Sequence, residues 1–580
     1  LRREYPASAR RRLMAWGGAA VQGSGFGPRL RALQRLPASL LLQRLSYLIK
    51  TPFYRSPLYS MGRLRSEPGA IRLTPPDPWP GNATRGAAIV HGDFTFAGQS
   101  IHNPAPAWAP PGAHRRWLEE LHGFEWLRDL RAAGGDAARR RARDLAADWV
   151  EAHQRWSALP WRPDLIGARL SAWFGQHDFF WASGDAEFQN RIAASAAAQA
   201  RHLARALPGG VSGSGAVRAV KGLIFAGLAL PRGEAWAARG LDLLKRELRR
   251  QILPDGGHAE RSPSAQLAVL RDLIDIRAAL VAAEREVPTD LQIAIDGMAP
   301  VLRLFQHGDG GLALFNDTAQ EEGWLVDLAL TRAGARIKPL MQAPQTGFQR
   351  LVAGRTLVLV DAGRPPRPGF DAHAHAGTLS FEMSVGRERM IVNCGAHPGD
   401  PEWRTAQRLT AAHSTLVVED TNSSEIMPDG SLGNGPTVVL CRRQEVDGNL
   451  WLELSHDGYQ QRFGLTHQRR LYLAATGEEL RGEDRLTGGG AGRQFAIRFH
   501  LHPQVQASIV QSAASVLLKL PGGAGWRLRC SGGAIALEPS IYLGRAAEVR
   551  RTQQIVISGT VESGETVVKW GLRRESKPKA

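Results

Sequence analysis

Apolar residues recur at intervals of three and four positions along residues 115–343. Segments such as HRRWLEELHGFEWLRDLR and SPSAQLAVLRDLIDIRAALVAAE show this spacing, and Gly or Pro closes most of them. A period near 3.6 residues is typical of amphipathic helices. Because the linking segments are short, we expect antiparallel helical hairpins packed side by side. The sequence shows no strict repeat of fixed period in this region.

The period changes to two after Gln345. Alternating stretches such as RTLVLVDAG, GTLSFEMSVG and RQFAIRFHLHP, separated by Gly, Asp and Asn, are typical of strands. Regularly spaced strands over roughly 200 residues favour a β-sandwich of antiparallel sheets. The patterns together predict an α+β multidomain protein, all helical first and all β second.

Two further segments precede the helical region. Residues 1–60 are rich in arginine, and their most apolar stretch, LPASLLLQRLSYLI at 36–49, is too short to span a bilayer. We expect this stretch to be a helix docked against the protein, with a surface-lying amphipathic helix as the alternative. Pro- and Gly-rich sequence then predicts an extended arm. The predicted order is a basic helical segment, an arm, a helical domain, a β-domain and a basic tail, at 1–60, 61–114, 115–343, 345–571 and 572–580.

Composition narrows the class of protein only a little. The chain has 580 residues, 43% hydrophobic and 22% charged, which excludes wholesale disorder and a polytopic membrane protein. Its formal net charge of +18 indicates either a compositional bias or a polyanionic partner such as nucleic acid, anionic lipid or acidic polysaccharide. Three cysteines without C-x-x-C spacing exclude a disulfide framework and a cysteine zinc site. The sequence has no zinc-finger or RNP motif, so we expect no nucleic-acid binding. We also expect no transmembrane segment, because the most apolar stretch near the N-terminus is too short to span a bilayer.

The densest cluster of titratable side chains is DAHAHAGTLSFE at 371–382. His373 and His375 are two residues apart, so an extended backbone would project both from one face. Two imidazoles on one face form half of a metal site, or an acid/base with an orienting partner. Asn393 and His413 follow, each at the edge of a predicted strand. The alternative is that these histidines only satisfy loop carbonyls.

The same residues carry a family resemblance. FDAHAHAGTLSFEMSVGRERMIVNCGAHPGDPEW and RLTAAHSTLVVEDTNSSEI resemble the signature of the heparinase II/III-like polysaccharide lyases. LHGFEWLRDLR, WRPDLIGARLSAW, LPDGGHAERSP and FQHGDGGLALFND resemble the helical half of that family. The resemblance implies an incomplete (α/α) toroid followed by an antiparallel β-sandwich, with the substrate cleft between them. It also implies a location in the cell envelope or periplasm; a cytoplasmic location is the alternative, since no clear export signal is recognised.

The family's reaction is β-elimination at a uronic acid of an acidic polysaccharide. A base removes the C5 proton, an acid reaches the leaving oxygen, and the uronate carboxylate is neutralised. By resemblance, His373 matches the catalytic histidine. The positions that match ligands of a structural zinc are His375, Asn393 and His413, where the family usually has Asp in place of Asn. The resemblance implies a polysaccharide lyase or, alternatively, a non-catalytic glycan-binding protein of envelope polysaccharide synthesis or export.

The sequence departs from the family where a helical-domain tyrosine is expected. Ser264, Ala265 and Gln266 follow LPDGGHAERSP, and all seven tyrosines lie outside the helical core. His258 or Glu260, in the same loop, could replace the missing acid or base. The candidates for binding a uronate carboxylate are arginines: Arg261, Arg404 and Arg408. For the loop residues, a helix cap with ordinary surface charges is the alternative.

Overall fold

The computed structural model describes residues 35–57, 59, 70–103, 108–334, 337–510, 515–545 and 548–575. The chain divides into two compact units. The helical unit comprises Leu36–Ile252 and Ala268–Asp296, and the β-unit comprises Leu253–Leu267 and Gly297–Ala580, with Leu1–Arg35. The predictions for residues 1–34 and for most of the basic tail lie outside the described residues. Within the described ranges, no helix is long and apolar enough to cross a bilayer.

The helical unit is built from helices joined by short loops, as the apolar spacing predicts, and its last two helices each extend into residues of the β-unit, at 263–267 and 297–304. The helices are α1 (Ala38–Arg55), α2 (Ala83–Val90), α3 (Arg115–Gly123), α4 (Leu127–Ala133), α5 (Gly135–Ala152), α6 (Pro163–Gly175), α7 (Ala186–Ala206), α8 (Ser214–Ala229), α9 (Glu234–Gln251), α10 (Pro263–Ala282) and α11 (Thr289–Leu304). α6 and α8 approach closely through glycines: a Cβ on Gly222 would lie 2.5 Å from the Cα of Gly167. The two helix backbones can approach this closely only because both positions are glycine, which has no Cβ.

The described part of 61–114 differs from the predicted extended arm. It contains α2 and a hairpin of β1 (Asp93–Phe96) and β2 (Gln99–His102). The first group of prolines ends at Pro80, and the Asn82 side chain then accepts a hydrogen bond from the Arg85 N–H and caps α2. The helix therefore begins where this first proline-rich stretch ends.

The apolar stretch at 36–49 forms most of α1. Leu40 and Tyr54 are buried, whereas Leu42, Leu45 and Ile49 are exposed. Both interpretations of this stretch therefore hold in part, because α1 docks through one face and lies on the surface of the helical unit with the other.

The β-unit contains two antiparallel sheets, which confirms the predicted sandwich. The larger has the order β17-β18-β13-β7-β6-β5-β4-β3, with β8 beside β13, and the smaller has the order β14-β15-β16-β19-β12-β11-β10-β9. The strands are β3 (Gln342–Ala343), β4 (Phe348–Ala353), β5 (Thr356–Asp361), β6 (Phe381–Val385), β7 (Glu388–Val392), β8 (Leu416–Val418), β9 (Val439–Val446), β10 (Asn449–Tyr459), β11 (Leu465–Leu473), β12 (Glu479–Gly488), β13 (Gln494–Leu501), β14 (Gln506–Val510), β15 (Ser515–Lys519), β16 (Gly525–Ser531), β17 (Ala534–Tyr542), β18 (Arg550–Thr560) and β19 (Gly564–Arg574). Short helices lie among them: α12 (Gly323–Ala333), α13 (Pro401–Gln407) and α14 (Gln460–Phe463).

The sandwich core lies between the inward faces of the two sheets. Phe381 on β6 stacks on Trp570 of β19, with ring centroids 5.7 Å apart. One charged cluster is enclosed in this core: the Asp484 carboxylate accepts hydrogen bonds from His467, Arg469 and Trp570. The Arg469 guanidinium also donates to the carbonyl oxygens of Leu379 and Ser414. The core therefore anchors the two loops that carry the titratable cluster.

Candidate functional site

Three segments of the β-unit meet around the carboxylate of Asp317. Its Oδ2 lies 3.0 Å from His373 Nδ1, in the loop between β5 and β6. The same oxygen accepts a hydrogen bond of 2.8 Å from Arg404 Nη2, on α13. Asp400 caps α13 by accepting from the N–H groups of Glu402 and Trp403, and this cap fixes the direction of the short helix. The site is therefore a carboxylate that holds an imidazole and a guanidinium together.

The hydrogen bonds define what His373 can do. Arg404 Nη2 lies 3.2 Å from His373 Nδ1 and can only donate, so in the neutral ring Nδ1 is the acceptor and Nε2 carries the proton. About 41% of the His373 side chain is exposed, so this nitrogen can be reached from solvent. In this tautomer the imidazole can donate a hydrogen bond or a proton from Nε2 to a polar ligand. The predicted role of His373 stays a prediction, and the structure adds Arg404 and Asp317 as its neighbours at Nδ1.

His375 and His413 form a hydrogen-bonded pair beside this site. His413 Nδ1–H donates to Leu409 O over 2.8 Å, which leaves its Nε2 as an acceptor 3.1 Å from His375 Nδ1. His375 Nε2 in turn accepts from the Asp317 N–H over 2.9 Å. Burial and the neighbouring imidazole hold the pKa of His375 well below its ordinary value, and burial lowers the pKa of His413 to about 4. Both rings are therefore neutral, and the hydrogen-bond network occupies all four ring nitrogens.

The three residues matched to zinc ligands do not fit that role as placed. A zinc bound to both rings would need lone pairs on His375 Nδ1 and His413 Nε2 together, but the Asp317 N–H already takes the lone pair of His375. Asn393 Oδ1 accepts from the Ser414 N–H, and its buried Nδ2, which has no partner, cannot ligate a cation. Within the described residues, no group of three or more His, Cys, Asp or Glu side chains is arranged to hold a metal. The imidazole pair instead supports the backbone of Asp317.

The backbone around the site is strained. Arg261, Asn316, Asp317 and Leu379 all have positive φ values. Asn and Asp tolerate this region, but Arg and Leu pay about 1 kcal/mol or more each there. Asn316 stabilises the arrangement, because its Nδ2 donates to Arg261 O and its Oδ1 accepts from the His375 N–H. Strain of this kind is typical of preorganised binding sites.

The proposed substitutes for the missing tyrosine lie inside the protein. His258 and Glu260 are 1% and 7% exposed, and burial lowers the pKa of His258 although Glu260 opposes the shift. The Gly256–Gly257 turn brings this loop against Thr346, since a Cβ on Gly257 would lie 1.6 Å from Thr346 Oγ1. The structure therefore gives no accessible acid or base at 258 or 260.

Two of the three predicted carboxylate-binding arginines have structural partners instead. Buried Arg261 donates to Thr346 O, Gly347 O and Asp361 Oδ1. Buried Arg408 donates to Ala374 O and Asp371 O, and so closes the loop that carries His373. The sequence shows that these residues are cationic, but their hydrogen-bond partners depend on how the folded protein buries them. Arg404 alone of the three reaches the site, where it binds the carboxylate of Asp317.

The main site residue that the sequence reasoning missed is Asp317. It ends the stretch FQHGDGGLALFND, which in the sequence indicates only the family resemblance. Two consecutive residues that tolerate positive φ, placed after an apolar run, were a readable signal for a functional turn. Its proximity to His373, 56 positions later, could not be read from spacing.

Comparison with known proteins identifies the class. The chain matches the family described as "Heparinase II/III N-terminus" over residues 135–333 and the one described as "Heparinase II/III-like, C-terminal" over 335–571. The chain belongs to the heparinase II/III-like family. It is 32% identical to FtsZ-localized protein C of Caulobacter vibrioides over 540 residues, which cover 87% of this chain and 91% of that protein.

Solved structures agree with the fold. Heparinase III matches with a TM-score of 0.69 and 15% identity, covering 94% of this chain and 93% of that one. The heparan sulfate lyase HepC mutant from Pedobacter heparinus matches with a TM-score of 0.60 and 16% identity, covering 90% and 88%. These identities are low, so the likeness establishes the predicted toroid-and-sandwich fold and carries no statement about activity.

Proposed function

We propose that this protein uses a heparinase II/III-like scaffold in cell division and lacks lyase chemistry. The observation that carries the proposal is the sequence after LPDGGHAERSP, where Ser264, Ala265 and Gln266 stand in the region in which a tyrosine is expected, and Ala265 is buried. The substitutes His258 and Glu260 are buried as well. β-Elimination needs both a base and an acid, and this loop supplies neither at an accessible position.

The role in division is supported by the relative from Caulobacter. Its name records localisation with FtsZ, and the match extends over 91% of its length. The match covers 87% of this chain instead of one domain, and this supports a shared role. The test is cosedimentation of the purified full chain with FtsZ polymers from the same organism. We expect enrichment in the pellet with GTP and none with GDP; equal amounts in both pellets would contradict the proposal.

We further propose that the Asp317 site binds an acidic glycan without cleaving it. His373 is partly exposed, and the Arg404 side chain is 20% exposed beside it. Both are held by one carboxylate on a strained backbone, so little order is lost on binding. Titration calorimetry with uronate oligosaccharides tests this. His373→Ala should weaken binding about tenfold or more, whereas Arg364→Ala, an exposed arginine elsewhere in the β-unit, should leave it unchanged.

A polysaccharide lyase is the second candidate function. The observation that favours it is the partly exposed His373, whose Nδ1 accepts from Arg404 so that Nε2–H can protonate the leaving oxygen. The base at C5 would then have to come from a group other than His258 or Glu260. Formation of an unsaturated uronate, lost in His373→Ala, would support this candidate over the first.

A further inference from the structure

α1 exposes an apolar face on the surface of the helical unit. Five large apolar side chains have between 45% and 77% of their surface exposed: Leu42, Leu45, Leu48, Ile49 and Phe53. At about 100° per residue, they fall within roughly 140° of the helix circumference. One third of the exposed large apolar residues of the described chain thus lie on this single helix. Isolated exposed apolar residues are ordinary, but a continuous face of this kind marks a docking surface.

The opposite face of α1 fixes the helix to the protein. Tyr54 is buried, with its ring 4.8 Å from that of His202 and 5.1 Å from that of Tyr59. Tyr47 lies against Gly209 and Gly210. The apolar face therefore cannot turn inward without breaking these contacts, and it stays outward along a helix about 27 Å long.

The charges around this face are basic. Arg44 and Arg55 border the apolar arc on one side, and Lys50 borders it on the other. Between Glu4 and Glu67 the chain has eleven arginines and lysines and no aspartate or glutamate. A basic rim beside an apolar face matches an anionic lipid surface, which attracts lysine and arginine and accepts apolar side chains.

We propose that the outward face of α1 docks the protein on an anionic phospholipid bilayer. The helix lies in the plane of the interface, with Leu42, Leu45, Ile49 and Phe53 in the acyl boundary and the basic side chains at the phosphates. This arrangement differs from a spanning segment, because the helix is held along its length by the protein beneath it. The proposal is independent of the glycan site and of FtsZ.

Vesicle cosedimentation of the full chain tests the proposal. The vesicles contain phosphatidylcholine alone, or phosphatidylcholine with about one third phosphatidylglycerol. We expect binding to the anionic vesicles and at least about tenfold weaker binding to the neutral ones. Leu45→Asp/Ile49→Asp should lower binding to the anionic vesicles by about tenfold or more, and Arg44→Gln should lower it less.

The matched control is Ile293→Asp, which places the same charge on a residue 63% exposed on α11. It should bind vesicles as the wild type does. Because the substituted side chains point outward, melting temperatures should be unchanged, and this is checked for each variant. Absence of wild-type binding, or equal binding by the double aspartate variant, would overturn the proposal.

Two other occupants of the face are distinguished by the same proteins. If the face joins two copies of the chain, the wild type sediments as a dimer and Leu45→Asp/Ile49→Asp as a monomer, with vesicle binding unaffected. If residues 1–34 cover it, a photoreactive side chain at position 45 cross-links to them whether or not vesicles are present. Either result would overturn the proposal; cross-linking to lipid would support it.

Discussion

Replacing Arg261 by alanine separates a structural role from a substrate-binding one. The guanidinium is 5% exposed, donates to Thr346 O over 2.6 Å, pairs with Asp361 and lies 4.8 Å from the ring of Phe348. Its removal leaves the buried Asp361 carboxylate without a counter-charge. Breaking a buried pair in this way costs about 3–5 kcal/mol, which corresponds to a fall in melting temperature of about 6–20 °C for a unit of this size.

The pH dependence of the same variant gives a second test. Burial raises the pKa of Asp361, and Arg261 opposes that shift. Without Arg261 the pKa rises further, and a carboxyl with a raised folded-state pKa loses stability as pH increases through that value. The deficit of Arg261→Ala in unfolding free energy should therefore shrink as pH falls from neutral toward about 4.

The assay is urea unfolding followed by tryptophan fluorescence, beside calorimetric titration with uronate oligosaccharide. Arg364→Ala, an exposed arginine in the same unit, is the control and should unfold like the wild type. Arg261→Lys keeps the charge but loses the forked donors, so its stability should fall between the two. Unchanged stability of Arg261→Ala together with lost oligosaccharide binding would refute the reasoning.

The remaining predictions concern the core and the imidazole pair. Asp484→Asn should lower the unfolding free energy by about 3–5 kcal/mol in urea titrations, because it leaves the Arg469 guanidinium buried without a counter-charge. Burial disfavours ionisation of Asp484, but the Arg469 charge and the hydrogen bonds from His467 and Arg469 hold its pKa well below the usual range. The unfolding free energy of the wild type should therefore fall progressively below about pH 4. Asp484→Asn should lack this part of the pH dependence, because it has no carboxylate at this position. The purified protein should carry no stoichiometric zinc by mass spectrometry, and neither zinc nor a chelator should shift its melting temperature; a stabilising shift with zinc that His375→Ala removes would contradict the hydrogen-bonded arrangement. His413→Ala should cost about 1–3 kcal/mol of unfolding free energy with or without zinc, since His375 Nδ1–H loses its buried acceptor; a cost that appears only in the presence of zinc would show a metal site instead.

The fold could be read from the sequence because it is set by periodicity over long stretches. The switch after Gln345 separates helices from strands, and the sheets follow it. The arm at 61–114 was harder, since its prolines obscure the short helix that Asn82 caps. The proline-rich composition there favours an extended chain, but the capping side chain of Asn82 allows a helix to begin at Ala83.

The site could be read only in part. His373, His375 and His413 lie close together as a dense cluster of imidazoles suggests, but residue type does not show whether they bind metal or each other. His258, Glu260 and Arg261 were chosen by chemistry, and their burial follows from contacts made by the Gly256–Gly257 turn. Asp317 was missed because its role depends on two loops that meet only in the folded β-unit.

Loss of lyase chemistry is the central claim, and ultraviolet absorbance of the C4–C5 unsaturated uronate tests it most directly. The purified full chain is incubated with a panel of acidic polysaccharides, beside His373→Ala and an active lyase as the positive control. We predict no increase in absorbance with the wild type on any polymer that calorimetry shows it to bind. An increase with the wild type that His373→Ala abolishes would contradict the claim and establish elimination at this site.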